Sequence, residues 1–565
     1  MTVLMAWPSR PIKSTCKSRL APRKRHRSSL TRRVSICTFF VPSVRSLAPR
    51  KQHAVRFYHG EADILLVTRS VSFEVAVFWD MPAGLVLPEK RIPPMSRSLL
   101  NSHCQREGTA MIIMEQSARS LKSFIGKTCL SDFAQLMVMR LVLGFLMHRG
   151  RMSCSSAAGM LASSAVHRSQ VSRFLARPRW QSTNFNDILR GALLTMEAST
   201  GGKFIFIVDG SMFSKSGLRT QNTYSTGNRK RRPSKGRRYN KKKVRRKHVH
   251  NFTFGLLITP SGYRIPYQIP HYTKAYCEKK NLVHKTTAQS AAELIRSLPL
   301  AEGADVVVLG DTAYDAKTVR AACDQRGYLW IFPSNPERVF EGTKGNRPKL
   351  RSRLKDWAGL SLKTIRFRAS TGKYAQYRRL SRWRVGPKMK TRTYYAYQEK
   401  CDVRSVGRVQ LIFSTMKPEL KKATPDDVKI LMTNATAMSV SEVIELYSIR
   451  WQIELFFKEL KSTLHVGHYQ FQQFQAVQAW VNCALTAVLF LEHLRAKKLN
   501  DRRLNQKKKD WWQAQRMHGL REAFIQQCQG EELKYLSKRL QTPGGIKKIK
   551  RLLTNALPSE FQCAT

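Results

Sequence analysis

Two aspartates stand where predicted strands could present them to a ligand. Asp209 follows the apolar run Phe204–Val208, and Asp311 follows the apolar run Val306–Leu309 after one glycine. Continuous apolar runs of this length are typical of strands covered on both faces, so each carboxylate would lie at the rim of a sheet. Either aspartate alone is a weak indication of a site, because an Asp next to a Gly at a strand end is also a common turn.

A third carboxylate, Glu454, lies in a segment, residues 440–464, whose pattern predicts a helix. At about 100° per residue, Glu454 falls within one strip of roughly 60° together with Tyr447, Arg450 and Lys461. This polar strip is separate from an apolar stripe that predicts a face packed on the core. The apolar stripe comprises Leu446, Ile449, Ile453, Phe456, Phe457 and Leu460.

Two interpretations of the polar strip are open at this point. Arg450 and Glu454 could form a surface ion pair between residues i and i+4, worth a few tenths of a kcal/mol. Such a pair does not account for Lys461, which lies seven residues beyond Glu454, two helical turns away. The functional interpretation is a metal-binding carboxylate whose neighbouring cations are spaced to bind successive phosphates.

The composition points to a polyanionic partner. The 565 residues include 100 Lys and Arg against 37 Asp and Glu, a formal net charge of +63, which attracts polyanions strongly. Nucleic acid is the first expectation and an anionic membrane surface the second. The longest apolar run, Cys483–Leu491, is about half of the ~20 residues that a membrane span needs, so no transmembrane segment is expected. Eleven cysteines without a Cys-x-x-Cys pair predict no zinc ribbon and fit a reducing compartment.

A very basic segment lies between the first two predicted strands of the core. Residues 229–247 hold 13 Lys and Arg in 19 positions, and we favour a nonspecific DNA anchor that contacts phosphates over a merely solvated loop. The cations expected to bind DNA are Arg229, Lys230, Arg231, Arg232, Arg237, Arg238, Lys241, Lys242, Lys243, Arg245, Arg246 and Lys247. His248 and His250 follow and would point the same way on a strand; further DNA contacts or structural histidines are favoured over a metal site.

The elements that must position these residues change in type along the chain. Residues 114–200 have helical patterns, and short helices at 155–161 and 169–175 resemble a helix-turn-helix, with Arg168, Gln170 and Arg173 exposed for DNA. An ordinary helical hairpin is the alternative. From residue 203 onward, strands first pair in sequence and then alternate with helices, which predicts a mixed α/β sheet. The predicted strands of this part are 204–208, 252–258, 263–269, 306–309 and 328–332, and the predicted helices are 287–298, 316–326 and 474–494.

The spacing Tyr447-(2)-Arg450-(3)-Glu454-(6)-Lys461 resembles the signature of DDE transposases of bacterial insertion sequences, in the insertion-sequence-four family. The order of the elements is also similar: a strand with Asp209, later a strand with its own aspartate, a β-rich insertion and then the glutamate helix. The resemblance covers about residues 200–495. The basic insert and the first ~94 residues lie outside it.

The resemblance implies an α/β fold with a ribonuclease-H-like mixed-sheet core. It implies that Asp209, Asp311 and Glu454 are catalytic and hold two divalent ions, normally Mg²⁺. One ion would activate water to cut a DNA strand at the end of the element, and the freed 3′-hydroxyl would attack the target. Tyr447 would hold the double-stranded DNA near the cleaved bond together with the two signature cations. A homodimer in a paired-end complex, no membrane and a bacterial cytoplasmic, nucleoid-associated location are also expected.

Six segments are predicted along the chain. They are a disordered or non-native basic extension (1–94), a helical N-terminal DNA-binding region (95–200), the first part of the catalytic core (201–336), a β-rich insertion (337–435), the second part of the core with the glutamate helix (436–497) and a basic helical C-terminal region (498–565).

Two functions of other classes are compatible with parts of the pattern. A ribonuclease-H-like nuclease without strand transfer would use the same three carboxylates, but it gives no reason for the full Tyr-Arg-Glu-Lys strip. A catalytically inactive DNA-binding protein derived from a transposase would not need the carboxylates, yet all three are present. The transposase is therefore the favoured prediction.

Overall fold

The computed structural model describes residues 54–59, 62–69, 72–79, 118–161, 166–177, 185–197, 201–215, 219–226, 247–341, 348–354, 360–368, 372–379, 391–417, 427–545 and 547. The basic segment therefore lies outside the described residues up to residue 246, and of Lys247 only the backbone is described. The predicted DNA contacts of that segment stay predictions.

The chain divides into two compact units, Met1–Met95 and Ser96–Thr565. In the first unit, three strands form an antiparallel sheet: β1 (Ala54–His59), β2 (Ala62–Arg69) and β3 (Ser72–Trp79). The first 60 residues are rich in Ser, Pro and Arg and have no sustained periodicity, which predicted a disordered or non-native extension up to residue 94, and this interpretation stays a prediction. The predicted boundaries of the six segments stay predictions.

The second unit is built on one large mixed sheet. Its strand order is β10-β11-β12-β13-β9-β8-β4-β6-β5, with β7 paired to β6. β4, β8 and β9 run parallel, and the other pairs are antiparallel. The strands are β4 (Phe204–Lys215), β5 (Tyr224–Thr226), β6 (Lys247–Ile258), β7 (Arg264–Pro270), β8 (Val306–Leu309), β9 (Leu329–Pro333), β10 (Lys363–Phe367), β11 (Arg392–Val403), β12 (Gly407–Thr415) and β13 (Lys429–Thr433). The predicted mixed α/β class is confirmed.

The strands predicted as a β-rich insertion continue the core sheet. Strand β13 pairs with β9, with Leu431 opposite Pro333 and Thr433 opposite Ile331, and β12, β11 and β10 follow outward. Alternation within each strand indicated the elements, but only pairing between residues about 100 positions apart decides that they join one sheet. β13 therefore lies next to β9, the outermost of the three parallel strands.

Helices precede the sheet, connect its strands and follow it, and their buried residues share one hydrophobic core with it. They are α1 (Arg119–Ile125), α2 (Asp132–Met147), α3 (Cys154–Ala158), α4 (Arg168–Ala176), α5 (Phe185–Leu194), α6 (Lys274–Lys280), α7 (Thr287–Arg296), α8 (Lys317–Gln325), α9 (Val440–Tyr447), α10 (Trp451–Ser462), α11 (Phe474–Asn500), α12 (Gln506–Ala514) and α13 (Met517–Leu540). Helix α11 packs against α2, α4, α5 and β7. Among the described residues it is the helix long and apolar enough to cross a membrane, but 83% of its most apolar stretch is buried inside the protein, as in a core helix.

A buried ionic cluster joins α11 to the sheet. The carboxylate of Glu492 accepts hydrogen bonds from Arg379 at 2.5 and 2.6 Å, from the backbone N–H of Arg264 at 3.2 Å and from Arg495 at 3.3 Å. The backbone N–H of Arg379 also donates to Gln452 Oε1 in α10 at 3.1 Å. Removing one partner of such a buried ionic cluster leaves an uncompensated charge, so the cluster holds α10 and α11 against the sheet.

Candidate functional site

The two aspartates lie side by side on neighbouring parallel strands. The register of β4 and β8 ends with Ile207 opposite Leu309, and continuing it by two residues sets Asp209 opposite Asp311. Residues two apart on a strand share a face, so both carboxylates point to the same side of the sheet. The two aspartates therefore lie at one edge of the sheet, and their role as site residues stays a prediction.

Strand β4 does not end at residue 208 as predicted. It continues to Lys215, because β6 pairs with it along its whole length, with Phe254 opposite Asp209 and His248 opposite Lys215. The polar residues after Val208 broke the apolar run in the sequence, but they remain hydrogen-bonded in the sheet. Asp209 is thus a mid-strand residue that lies just beyond the end of β8.

Backbone N–H groups hold both aspartates in place. Gly210 donates to Asp209 Oδ1 at 2.7 Å, and Ala313 donates to Asp311 Oδ1 at 2.9 Å. The second bond makes Asp311 the N-cap of a short 3₁₀ helix, Thr312–Tyr314. Each carboxylate is therefore fixed by one of its oxygens.

The glutamate helix contains one tighter turn. The sequence predicted one helix over 440–464, whereas a 3₁₀ turn at Ser448–Arg450 separates α9 from α10. Every residue of the predicted apolar stripe is buried, which confirms the stripe. Phe456 and Phe457 lie 6.3 and 5.3 Å from the ring of Phe254, between ring centroids. Because Phe254 pairs with the first aspartate of the site, this packing sets α10 above the strand that carries it.

Arg450 joins two of the carboxylates. Its Nη2 lies 2.5 Å from Glu454 Oε1, and its Nη1 lies 3.5 Å from Asp209 Oδ2. The local ion pair considered from the spacing is therefore present, but the same guanidinium also reaches a residue 241 positions away. Local periodicity could not predict this second contact. Arg450 therefore connects the polar strip of the glutamate helix to the sheet edge that carries Asp209.

The site concentrates negative charge. Burial, and in second place the neighbouring carboxylates of Asp311 and Glu454, raise the pKa of Asp209 to about 6, although the Gly210 N–H and Arg450 act in the opposite direction. The side chain of Asp209 is only 18% exposed. Bringing like charges together in a partly buried place costs free energy unless a cation offsets them, and such strain is typical of functional sites.

The other two residues of the strip lie at different depths. Tyr447 is buried, and its burial, together with the charges of Asp311 and Asp209, raises its pKa to about 12 even though Arg450 lowers it. Lys461 is exposed, with its Nζ 5.6 Å from the ring centroid of Phe213. Phe213 follows Asp209 by four residues on β4, about 13 Å along the strand. Lys461 therefore lies on the face of the sheet that carries Asp209, further along β4.

A cation that the sequence analysis missed stands beside this strip. The Nζ of Lys429, at the start of β13, lies 4.7 Å from the centroid of the Tyr447 ring. A single lysine ahead of an apolar strand carries no spacing signal, and only the strand pairing brings it here.

The remaining predicted contacts lie further from the carboxylates. Strand β5 pairs with the start of β6, with Thr226 opposite Lys247, so the basic segment joins the two strands of a hairpin. Its base lies seven residues from Phe254, about 23 Å along β6. His250 is buried and bonded to Tyr469 Oη and Gln221 O at 2.7 and 2.8 Å, and burial lowers its pKa to about 4. It is a structural histidine.

The predicted helix pair near the N-terminus exists as α3 and α4. Arg168, Gln170 and Arg173 are exposed, while Val171 and Phe174 are buried, as the pattern predicted. Their role in binding DNA stays a prediction.

The carboxylates suit a divalent cation in charge and donor type, since Mg²⁺ prefers oxygen ligands. Arg450 stands where such a cation would be needed, because it bonds Asp209 and Glu454 together. Within the part of the chain that the structure describes, no three His, Cys, Asp or Glu side chains are grouped closely enough to hold a metal ion. The donor chemistry fits, and Arg450 would have to yield its place for an ion to bind.

Two family models match the chain. The model described as "Transposase DDE domain" matches residues 281–490, and the model described as "DDE superfamily endonuclease" matches residues 128–355. The first includes Asp311 and Glu454 and the second includes Asp209 and Asp311. A comparison with curated proteins gave no match.

The chain is similar to DDE transposases and endonucleases. The matches support a transposase-type nuclease function, imply a DNA substrate and agree with the mixed sheet and its helices. The finer assignment to the insertion-sequence-four family stays a prediction.

Proposed function

We propose that this protein is a metal-dependent transposase that cuts DNA strands at the ends of an insertion sequence and joins the freed 3′-hydroxyl to target DNA. One observation carries the proposal: Asp209 and Asp311 follow the last register pair of β4 and β8, Ile207 opposite Leu309, by two residues each, and Arg450 bonds both Glu454 and Asp209. The two family matches support the same chemistry.

Asp209, Asp311 and Glu454 would hold the divalent ions, which when bound supply an activated water and stabilise the leaving oxygen in an in-line displacement. The protein's own part is to bring the three carboxylates to one edge and to hold them there. Packing of α10 on β6 and the backbone N–H bonds of the two aspartates provide this rigidity. Arg450, which lies against Asp209 and Glu454, would contact a DNA phosphate beside them.

The DNA would extend across the basic surface on either side of this edge. Lys461 lies beside the ring of Phe213, which follows Asp209 by about 13 Å along β4, and the base of the basic segment lies further on along β6. Contacts of these cations with phosphates position a duplex without reading its sequence, so sequence recognition would come from elsewhere, with α4 as the proposed reader. A homodimer in a paired-end complex and a location at the bacterial nucleoid are part of this proposal.

A nuclease that cuts without joining is the second candidate. The match to the endonuclease model supports this candidate, and it covers the two aspartates and all of α4. Both functions use the same carboxylates, and they differ only in whether the cut 3′-hydroxyl is held for a second reaction.

The distinguishing experiment uses the full chain, Mg²⁺, a labelled duplex with the terminal inverted repeat that borders the gene, and a supercoiled plasmid as target. A transposase gives cut ends and label joined covalently to the plasmid. If the ends are cut but no label is joined to the plasmid, the protein is a nuclease without strand transfer and the proposal is wrong. Binding without any cut would leave a DNA-binding protein only.

A further inference from the structure

Lys429 belongs to the same face and edge of the sheet as the two aspartates. The pairing of β13 with β9 sets Leu431 opposite Pro333. The pairings of β9 with β8 and of β8 with β4 end at Leu309, and continued by two residues they set Pro333, Asp311 and Asp209 in the same row. Lys429 lies two residues beyond this row, so its side chain points to the face that carries the carboxylates. Two strand spacings and two residues along the strand separate its Cα from that of Asp311 by roughly 12 Å.

The side chain of Lys429 is directed toward the polar strip of the glutamate helix. Its Nζ lies 4.7 Å from the centroid of the Tyr447 ring. Burial and Arg450 lower the pKa of this ammonium, while Asp311 and Glu454 raise it, which places the group within electrostatic range of the carboxylates. Two independent observations, the sheet register and the ring contact, therefore agree on its position.

This ammonium is free to bind an anion. Within the described part of the chain it has no carboxylate oxygen within 4 Å and no hydrogen bond, and Lys429 is exposed. Arg450, in contrast, is already engaged by Asp209 and Glu454. Asp311 and Glu454 attract the Lys429 ammonium without forming an ion pair with it, so its charge is available to a further negative group.

The structural alternative is a cation–π contact that merely covers the Tyr447 ring. An exposed contact of this kind is worth about 0.5–1 kcal/mol, and it needs no DNA. The two explanations differ in a measurable way, because the structural contact would change stability alone, whereas an anion contact would change how DNA binds and how binding depends on salt.

We infer that Lys429 is a further DNA contact of this site, binding a phosphate next to the bond that the carboxylates act on. The inference rests on the proposed function, since it takes DNA cleavage at this edge as given. Lys429 would be a third cation of the site, beside Arg450 and Lys461 of the polar strip. It lies on β13, which belongs to the segment predicted as a β-rich insertion.

The test compares Lys429→Ala, Lys429→Arg and the control Lys400→Ala in the full chain. Lys400 is exposed on β11 of the same sheet, two strands away from β13. The probe is the duplex with the bordering inverted repeat, unmodified or with one methylphosphonate, which removes the charge of a single phosphate. Affinity at several salt concentrations, single-turnover cleavage and thermal melting are measured for each variant.

The expected result for Lys429→Ala is a loss of about tenfold or more in affinity or cleavage rate, with the slope of log affinity against log salt smaller by about 0.9. At one phosphate, a methylphosphonate should weaken wild-type binding but leave Lys429→Ala binding unchanged. Lys429→Arg should recover most of the loss, and an unchanged melting temperature excludes misfolding.

A Lys429→Ala protein that binds and cuts like Lys400→Ala, or methylphosphonate losses that add to the Lys429→Ala loss at every position, would overturn the inference. These outcomes differ from failure of the proposed function, which would show as wild-type protein that does not cut the duplex at all.

Discussion

Replacing Asp209 by asparagine should stabilise the metal-free protein at neutral pH. Burial, and after it the charges of Asp311 and Glu454, raise the pKa of this carboxyl from its ordinary 3.8 to about 6. A carboxyl whose pKa is higher in the folded state contributes stability below pH ~4, and this contribution is lost as the pH rises through about 6. A shift of about two pKa units corresponds to roughly 3 kcal/mol. Asparagine keeps the acceptor for Gly210 and removes the charge.

The assay is urea unfolding or thermal melting in EDTA between pH 4.5 and 8, on wild type, Asp209→Asn and the control Asp305→Asn. Asp305 is an exposed partner of Lys203 at 2.6 Å, at the opposite end of β8. At pH 8 the free energy of unfolding of Asp209→Asn should exceed that of the wild type by up to roughly 3 kcal/mol, and this difference should become smaller toward pH 4.5. The control should show no gain.

Magnesium provides the second half of this test. If the carboxylates hold the ion, Mg²⁺ stabilises the wild type by mass action and closes the gap to Asp209→Asn. A variant no more stable than wild type at pH 8 in EDTA, or a difference that does not change with pH, would refute the electrostatic reasoning about this site.

Two predictions concern the scaffold. Glu492→Gln should destabilise the protein by about 3–5 kcal/mol, because it leaves Arg379 and Arg495 buried without their carboxylate, and an unchanged melting temperature would contradict this. Gly255→Ala should lower the free energy of unfolding by about 1–3 kcal/mol, because the added Cβ would overlap the buried ring of Phe206; a melting temperature equal to that of the wild type would contradict this.

Local patterns predicted much of the site. The run Val306–Leu309 is a strand with the predicted bounds, and the apolar stripe on the glutamate helix is buried, because both patterns depend on residues close in sequence. The strip of Arg450 and Glu454 follows from helical periodicity alone, and a 3₁₀ turn just before α10 does not separate the two residues.

What the sequence did not predict depends on pairing between distant segments. The contact of Arg450 with Asp209 needs α10 to pack on β6, and the position of Lys429 needs β13 to pair with β9. Likewise, the extension of β4 to Lys215 follows from its pairing with β6 and not from its own polar residues. Register across a sheet has no local signal in any one strand, so these features appear only in the structure.

The most direct test of the central claim is strand cleavage by Glu454→Gln. Labelled duplex with the bordering inverted repeat is incubated with Mg²⁺ and either wild type, Glu454→Gln or the control Glu293→Gln, whose carboxylate pairs with Lys285 on the surface. Binding of the duplex is measured in parallel. Glu454→Gln should bind the duplex nearly as well as wild type but should not cut it, while Glu293→Gln should do both. Normal cleavage by Glu454→Gln would contradict the assignment of the three carboxylates as the catalytic site.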